Sequence, residues 1–275
     1  MTSLLRHIRA CNTAVLPGRR LPWRIRGAVV GWLKPDLARA LRAFPVFDVG
    51  QDMVELRDPE GLDPVVRALV AQGHFRWRDE AFDVREVAAG PVLARIDRGA
   101  LPAFGVMAEG VHVNGVVRSP DGVSMWIARR SASKQLDPGK LDHMVAGGVP
   151  AGLSPDCTVV KEAAEEAGLP ADLAGTAVRH AVLRYAMERP EGLRRDRLYC
   201  YDLDVPGDFV PRPTDGEVHS FDLWPVARVL KAVRETDDFK FNVNLVLIDF
   251  FLRHGMIPEP EAIALRSLLD ADDDH

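Results

Sequence analysis

Two hydrophobic periods alternate along this chain, and the changes of period predict its elements. Leu4, Ile8 and Cys11 recur at i, i+4 and i+7 behind Ser3, a natural cap, and predict an amphipathic helix. Trp23 and Ile25 then alternate with Arg24 and Arg26, as in a half-buried strand. Pro35 opens a helix that reaches Ala43, residues 46–56 read as extended, and residues 64–71 form a helix closed by Gly73. Residues 75–84 and 92–96 are again extended.

From Phe104 onward the pattern sharpens. Residues 111–118 and 123–129 are strand-like and joined by Ser119-Pro120-Asp121-Gly122, a tight-turn sequence. Val123, Met125 and Ile127 share one face of the second strand. A Gly-rich loop over 145–152 delivers a helix. Residues 177–187 and 197–203 read as strands, and residues 224–233, 241–254 and 259–269 as helices, the middle one stopped by Gly255 and Pro258. This mixture predicts an α/β sandwich around a mixed sheet, preceded by a smaller mixed α+β domain. The length allows one large domain or two modest ones, and the change of pattern near residue 105 is a soft boundary.

Composition narrows the class. The chain has 275 residues, enough to bury a core without disulfide or metal staples. Hydrophobic residues make up 47% and charged residues 27%, which excludes collagen-like, coiled-coil and wholly disordered proteins. Cys11, Cys157 and Cys200 are far apart and form no C-x-x-C pair, so a secreted disulfide scaffold and a cysteine zinc site are unexpected. A reducing compartment, the cytoplasm, is the expectation. A net charge of −5 argues against a nucleic-acid coating protein, and no apolar run approaches the roughly 18 residues of a membrane span. The first acidic residue is Asp36, after seven Arg and Lys residues. Transit peptides share that bias, but the helical spacing of Leu4, Ile8 and Cys11 favours a folded domain start. Residues 270–275 read as a solvated acidic tail.

The candidate chemistry lies on the helix after the Gly-rich loop. Ser154 is a natural cap, Pro155 a natural first residue and Gly168 a natural stop, which bounds the helix at Pro155–Ala167. At roughly 100° per residue, Val160, Ala163, Ala164 and Ala167 form a small-residue face for close approach to a sheet. Glu162, Glu165 and Glu166 lie opposite. Like charges three and four apart cost about 0.2–0.5 kcal/mol per pair, and anions near a helix C-terminus oppose its dipole. A divalent cation would offset both, and hard oxygen ligands suit magnesium. The alternative is a solvated acidic face with Lys161 beside it.

The stretch from Gly147 through Glu162, Ala163, Glu165, Glu166 and Gly168 to Leu169 resembles the signature of the Nudix hydrolases. Leu153 stands where that family has its first Glu and Lys161 where it has Arg, two residues that in the family brace the loop against the helix. The resemblance implies a Nudix α/β/α sandwich and magnesium-dependent hydrolysis of a substituted diphosphate, with manganese as a substitute. It implies Glu162, Glu165 and Glu166 as metal ligands, with the Ala146 carbonyl joining them. The general base stays open between Glu162 and Glu217, and Glu217 also suits the metal shell.

Further stretches are similar to the Nudix branch related to thiamine pyrophosphokinase, which carries an extra N-terminal domain; the resemblance implies an accessory domain over 1–105 and a Nudix domain with C-terminal helices over 106–275. They include Arg9-Ala10-Cys11, Gly31-Trp32-Leu33, Trp77-Arg78-Asp79-Glu80, Gly110 to Gly115, Met125 to Arg130, Pro138 to Asp142, Asp215 to Val218 and Phe239 to Asn242. That resemblance implies thiamine diphosphate or damaged analogues as substrate, cleaved to the monophosphate. A diphosphate favours arginine and a thiazolium favours aromatic walls. The phosphate candidates are Arg184, Arg194, Arg195 and Arg197, the ring-wall candidates Tyr185 and Tyr199, and His143 a further substrate contact. The expected partner is a small-molecule diphosphate, and a homodimer is allowed. Two rival readings are a non-catalytic Nudix-fold regulator and a Nudix hydrolase of nucleotide sugars or dinucleotides.

Overall fold

The computed structural model describes residues 4–270; Ser3, read above as a cap, and tail residues 271–275 lie outside the described residues. The chain opens with α1 (Leu5–Cys11), β1 (Leu21–Ile25), β2 (Ala28–Leu33), α2 (Pro35–Leu41), β3 (Phe47–Val49), β4 (Val54–Leu56), α3 (Leu62–Ala71), β5 (Ala81–Val84), β6 (Ala94–Asp97) and α4 (Leu101–Phe104). The first four strands form one sheet in the order β2-β1-β4-β3, and β5 with β6 forms a separate hairpin. Trp23, Leu33, Leu41, Leu56, Leu62, Leu69 and Phe104 fill the core between them. Each such side chain contributes about 1.5–3 kcal/mol on burial.

The second half contains β7 (Met107–Ser119), β8 (Gly122–Arg130), β9 (Leu141–Asp142), β10 (Val145–Gly148), α5 (Pro155–Ala167), α6 (Ala171–Ala174), β11 (Val178–Arg189), β12 (Gly192–Asp204), β13 (Val218–Pro225), α7 (Val226–Glu235), α8 (Val243–Arg253) and α9 (Glu261–Leu269). Its seven-stranded mixed sheet runs β11-β12-β7-β8-β13, with β10 paired to β7 and β9 to β8. The β12–β7 pair is parallel. Alternation along the long strands sends Val111, Val113 and Tyr199 to the α5 face and Val116, Cys200 and Tyr185 to the face under α7, α8 and α9. The result is the expected α/β/α sandwich. Among the described residues, no helix is long and apolar enough to cross a membrane.

Several local expectations need correction. Leu4, Ile8 and Cys11 do form the apolar stripe of α1, but they pack among the C-terminal helices rather than in the accessory core. The extended reading of 46–56 is broken into a hairpin, closed by the Gly50 N–H donating to the Met53 carbonyl at 2.9 Å. Only Ala81–Val84 of the segment 75–84 is strand. Trp224 and Pro225 are the last two residues of β13, so the helix expected from 224 begins at Val226. A Pro at 225 cannot donate to a ladder, and it is well placed for that exchange of strand for helix.

Candidate active site

The geometry of α5 follows from local rules. The Ser154 hydroxyl accepts the Cys157 N–H at 3.1 Å, Pro155 sits in the first turn, and Gly168 closes the helix at φ 64°. The buried stripe is Thr158, Val159, Ala163, Glu166 and Ala167. This corrects the projection made from Val160: Ala164 is exposed, and Glu166 faces inward with the alanines. Glu166 is only 6% exposed because its carboxylate accepts the Ala146 N–H at 2.8 Å, under the Gly-rich turn. Thus Ala146 meets the helix through its amide.

The three glutamates therefore diverge. Glu165 is half exposed and pairs with Lys161 at 2.6 Å. Glu162 pairs with the same Lys161 at 2.9 Å and lies against Gly147, where an added Cβ would come within 2.4 Å of its carboxyl carbon. Only glycine lets that carboxylate approach the turn. Glu166 instead meets Asp215 and Glu217, one carboxylate oxygen of each lying within 4.8 Å of the others. Asp215 was not singled out in the sequence. Its carboxylate accepts the Glu217 N–H at 2.8 Å and so orients that residue. The loop is fastened to the end of α5 by the Arg212 N–H donating to the Ala167 carbonyl at 3.0 Å, and by the Thr214 hydroxyl donating to the Glu165 carbonyl.

Electrostatics separates the members. Burial pushes the Glu166 carboxyl well above the ordinary range, and its neighbours Asp142 and Glu162 add to the push. Burial also raises Glu162, against the pull of Lys161. Burial works in the same direction on Glu217, but the Lys134 ammonium paired with it outweighs burial and lowers it. Three carboxylates converging on one point, one of them buried, are mutually repulsive without a counter-charge. Their all-oxygen donor set fits a small, hard divalent cation.

The N-terminal part of the chain reaches this place. Asp97 is buried and accepts three backbone N–H groups, from Arg78 at 3.0 Å, Gly99 at 2.8 Å and Glu80 at 3.3 Å. These bonds order Trp77-Arg78-Asp79-Glu80, and the Trp77 indole N–H donates to Asp79 at 3.2 Å. Glu80, paired with Arg98 at 2.7 Å, is near enough to raise Glu162, and Arg98 near enough to lower Glu217. No sequence signal marked Glu80, Arg98 or Lys134 as neighbours of the glutamates.

The substrate candidates divide between the two sheet faces. Arg184 and Arg197 are cross-strand partners on the α5 side, where Arg197 and the Tyr199 hydroxyl both donate to Glu109 at 2.8 Å. Arg195 donates to the Gly105 carbonyl at 3.2 Å, and burial with Arg197 nearby brings its pKa down to about 10. Tyr185 lies on the opposite face, 3% exposed, with its hydroxyl donating to Asp196 and Arg194 bonded to both. That network is internal to the core, so Tyr185 and Arg194 are not brought to the glutamates. His143 is buried at the edge of the cleft holding Ala146, Glu166 and Glu217, with its Nδ1 3.0 Å from that of His112.

Burial drives the His143 pKa down to about 4, and that of His112 well below its ordinary value. Both imidazoles are neutral when folded and take up a proton on unfolding below pH 6.5, so stability falls as pH drops from 6.5 toward 4. His143 alone accounts for about 3 kcal/mol of that fall. Calorimetric unfolding across this window should show the slope, and His143→Leu should reduce it. An unchanged slope in the variant would contradict the buried neutral state.

Comparisons with known proteins bear on this geometry. The family described as "Domain of unknown function (DUF4743)" matches residues 3–108, and the NUDIX domain matches residues 109–244. "Nudix hydrolase 20, chloroplastic" of Arabidopsis thaliana is 37% identical over 282 residues, covering 95% of this chain and 75% of its own. "Nudix hydrolase 24, chloroplastic" of the same plant is 38% identical over 276 residues, with coverages of 95% and 75%. A solved structure, DR0079 from Deinococcus radiodurans, is 21% identical with a TM-score of 0.46, over 61% of this chain and 97% of that one. The cytoplasmic expectation is corrected by the plant relatives, whose names place them in the chloroplast.

Proposed function

Because this chain belongs to the Nudix hydrolase family, we propose that it is a magnesium-dependent hydrolase of a substituted diphosphate, acting at the cleft between the Gly-rich turn and the 215–217 loop. The convergence of Glu166, Asp215 and Glu217 beside the Ala146 amide carries this reading. These carboxylates, with Glu162 adjacent, are the residues that would hold magnesium, or manganese in its place. When bound, the metal neutralises the diphosphate and lowers the pKa of water.

Among the two base candidates, electrostatics favours Glu162. Burial raises its pKa and so makes it the stronger base of the two, whereas Lys134 lowers that of Glu217 and makes it the weaker one. Glu162 takes the proton of the attacking water, and Lys161 holds its carboxylate in place while shared with Glu165. Arg184 and Arg197, on the α5 side of the sheet, are the candidate phosphate-facing cations, and Tyr199 the candidate aromatic wall beside them. His143 borders the cleft from within the core. The finer substrate reading, thiamine diphosphate or a damaged analogue, rests on the sequence resemblance.

The test is a phosphate-release panel with thiamine diphosphate, its oxidised analogues, ADP-ribose and nucleoside triphosphates, with magnesium and with chelator. At least one diphosphate should turn over only with the metal, and Glu162→Gln should remove the acid limb of its pH–rate profile. Binding without turnover across the panel would favour a regulatory module instead.

A further inference from the structure

We propose that the accessory domain sets the position of the catalytic helix, with the Asp83 carboxylate and the Ala81 carbonyl acting as positioning groups for the loop 149–153. The kinetic part of this inference rests on the function proposed above; its geometric part does not. The loop joins β10 to the Ser154 cap, so its path fixes where α5 starts and how the helix is rotated over the Gly-rich turn. Glu162 and Glu166 meet that turn at van der Waals and hydrogen-bond distance, so a small displacement of the helix start is felt at both.

The loop's amides can be followed one by one. Val149 donates to the Glu109 carbonyl at 2.9 Å, within the sheet, and Leu153 donates to Pro150 at 3.1 Å, within the loop. The two central amides both cross to the accessory domain: Ala151 to the Ala81 carbonyl at 2.7 Å, and Gly152 to Asp83 at 3.2 Å. Asp83 is itself fixed, with Arg85 at 3.0 Å and Arg95 at 3.2 Å on its two oxygens and a side chain only 12% exposed. An ionised acceptor held this way makes a stronger bond than a neutral one. Between them, the Phe82 ring closes on the Gly-rich turn so tightly that a Cβ on Gly148 would come within 2.7 Å of it.

Neither of the two departing positions of the signature does the same work. Leu153 is apolar and 40% exposed, and Lys161 is engaged with Glu162 and Glu165. Among the described residues, no hydrogen bond joins an α5 side chain to residues 149–153. The two positions that would brace the loop from within the signature are thus both given up, and β5 supplies the brace from outside it.

Amide hydrogen exchange and turnover, measured on the full chain as wild type, Asp83→Ala and Asp83→Ala/Leu153→Glu/Lys161→Arg, test this. Asp83→Ala should speed exchange at Ala151 and Gly152 by roughly tenfold or more, the loss of a charged hydrogen bond. The β5–β6 ladder should stay protected. Turnover should fall roughly ten- to a hundredfold, as for other groups that orient metal ligands. The triple variant, which installs the signature's own brace, should recover both. Unchanged exchange at 151–152, acceleration spread evenly over β5 and β6, or no recovery in the triple variant would each overturn the inference. A wild-type chain without turnover on any diphosphate would sink the proposed function, while the exchange comparison would still decide the brace.

Discussion

Replacing Glu166 by Gln should make the metal-free protein more stable at neutral pH while removing nearly all of its metal-dependent turnover. The carboxylate is buried beside Glu162 and within 4.8 Å of the Asp215 and Glu217 oxygens, and its pKa is raised well above the ordinary value. A raised carboxyl is worth most to the folded state while protonated. Stability is therefore highest below the ordinary carboxylate range and drains away as pH rises toward the folded pKa. Glutamine keeps an acceptor for the Ala146 N–H and carries no charge, so the drain disappears. Relief of about 1–3 kcal/mol is expected in chelator, from the desolvation cost of a buried ionised group. Turnover should fall roughly a thousandfold, corresponding to the several kcal/mol of charge stabilisation a bound metal supplies. Calorimetry in chelator, with and without added magnesium, reads both sides of the balance: magnesium should stabilise the wild type and not the variant. A variant less stable than wild type in chelator, or one of undiminished turnover, would refute the assignment.

Asp142→Ala should cost the fold about 3–5 kcal/mol, because it strands buried cations. Asp142 is 4% exposed and lies 2.7 Å from Arg130 and 3.8 Å from Lys240. Burial alone would raise its carboxyl, but Lys240 and Arg130 more than reverse this and lower it. Its contribution is thus present above the ordinary carboxylate range and lost as pH falls below it. Arg130 also donates to the Leu136 and Asp137 carbonyls at 2.8 and 3.1 Å, so the loop carrying Lys134 depends on the same guanidinium. The melting temperature should drop by roughly 10 °C. Adding Lys240→Met should recover part of the loss, since one of the stranded charges then goes with it. If the double variant is no more stable than Asp142→Ala, the pairing does not carry the energy.

How far the sequence foretold this site depends on whether local or long-range rules set each residue. The bounds of α5 were legible because capping by Ser154, Pro155 and Gly168 is decided within a few residues. The inward turn of Glu166 was not, since a helical wheel centred on apolar residues cannot know that an Ala146 amide waits under the Gly-rich turn. The sequence offers Tyr185 and Tyr199 together as ring walls, yet β11 and β12 pair Val182 with Tyr199 and Tyr185 with Asp196, so the two rings fall on opposite faces. Register is a tertiary property, and a shift of one residue exchanges the faces. Asp215 sat beside Glu217 in sequence, but its distance to Glu166 exists only after the 212–217 loop is fastened to the end of α5. Glu80 and Asp83 belong to a segment whose sequence shows little more than extended character, and their meaning comes from the domain they touch.

The placement of α1 among the C-terminal helices has a topological consequence. The chain enters the sandwich with α1, leaves it to build the accessory lobe, and returns to it at β7. The lobe is therefore an insertion anchored at both ends on one body, more like a handle than a pendant. A handle has fewer rigid-body motions than a domain on a single linker, which suits a lobe whose strand β5 is hydrogen-bonded to the loop 149–153. It also means that no single cut of the chain separates lobe from sandwich, because a cut before β7 removes Leu4, Ile8 and Cys11 from the sandwich's own core.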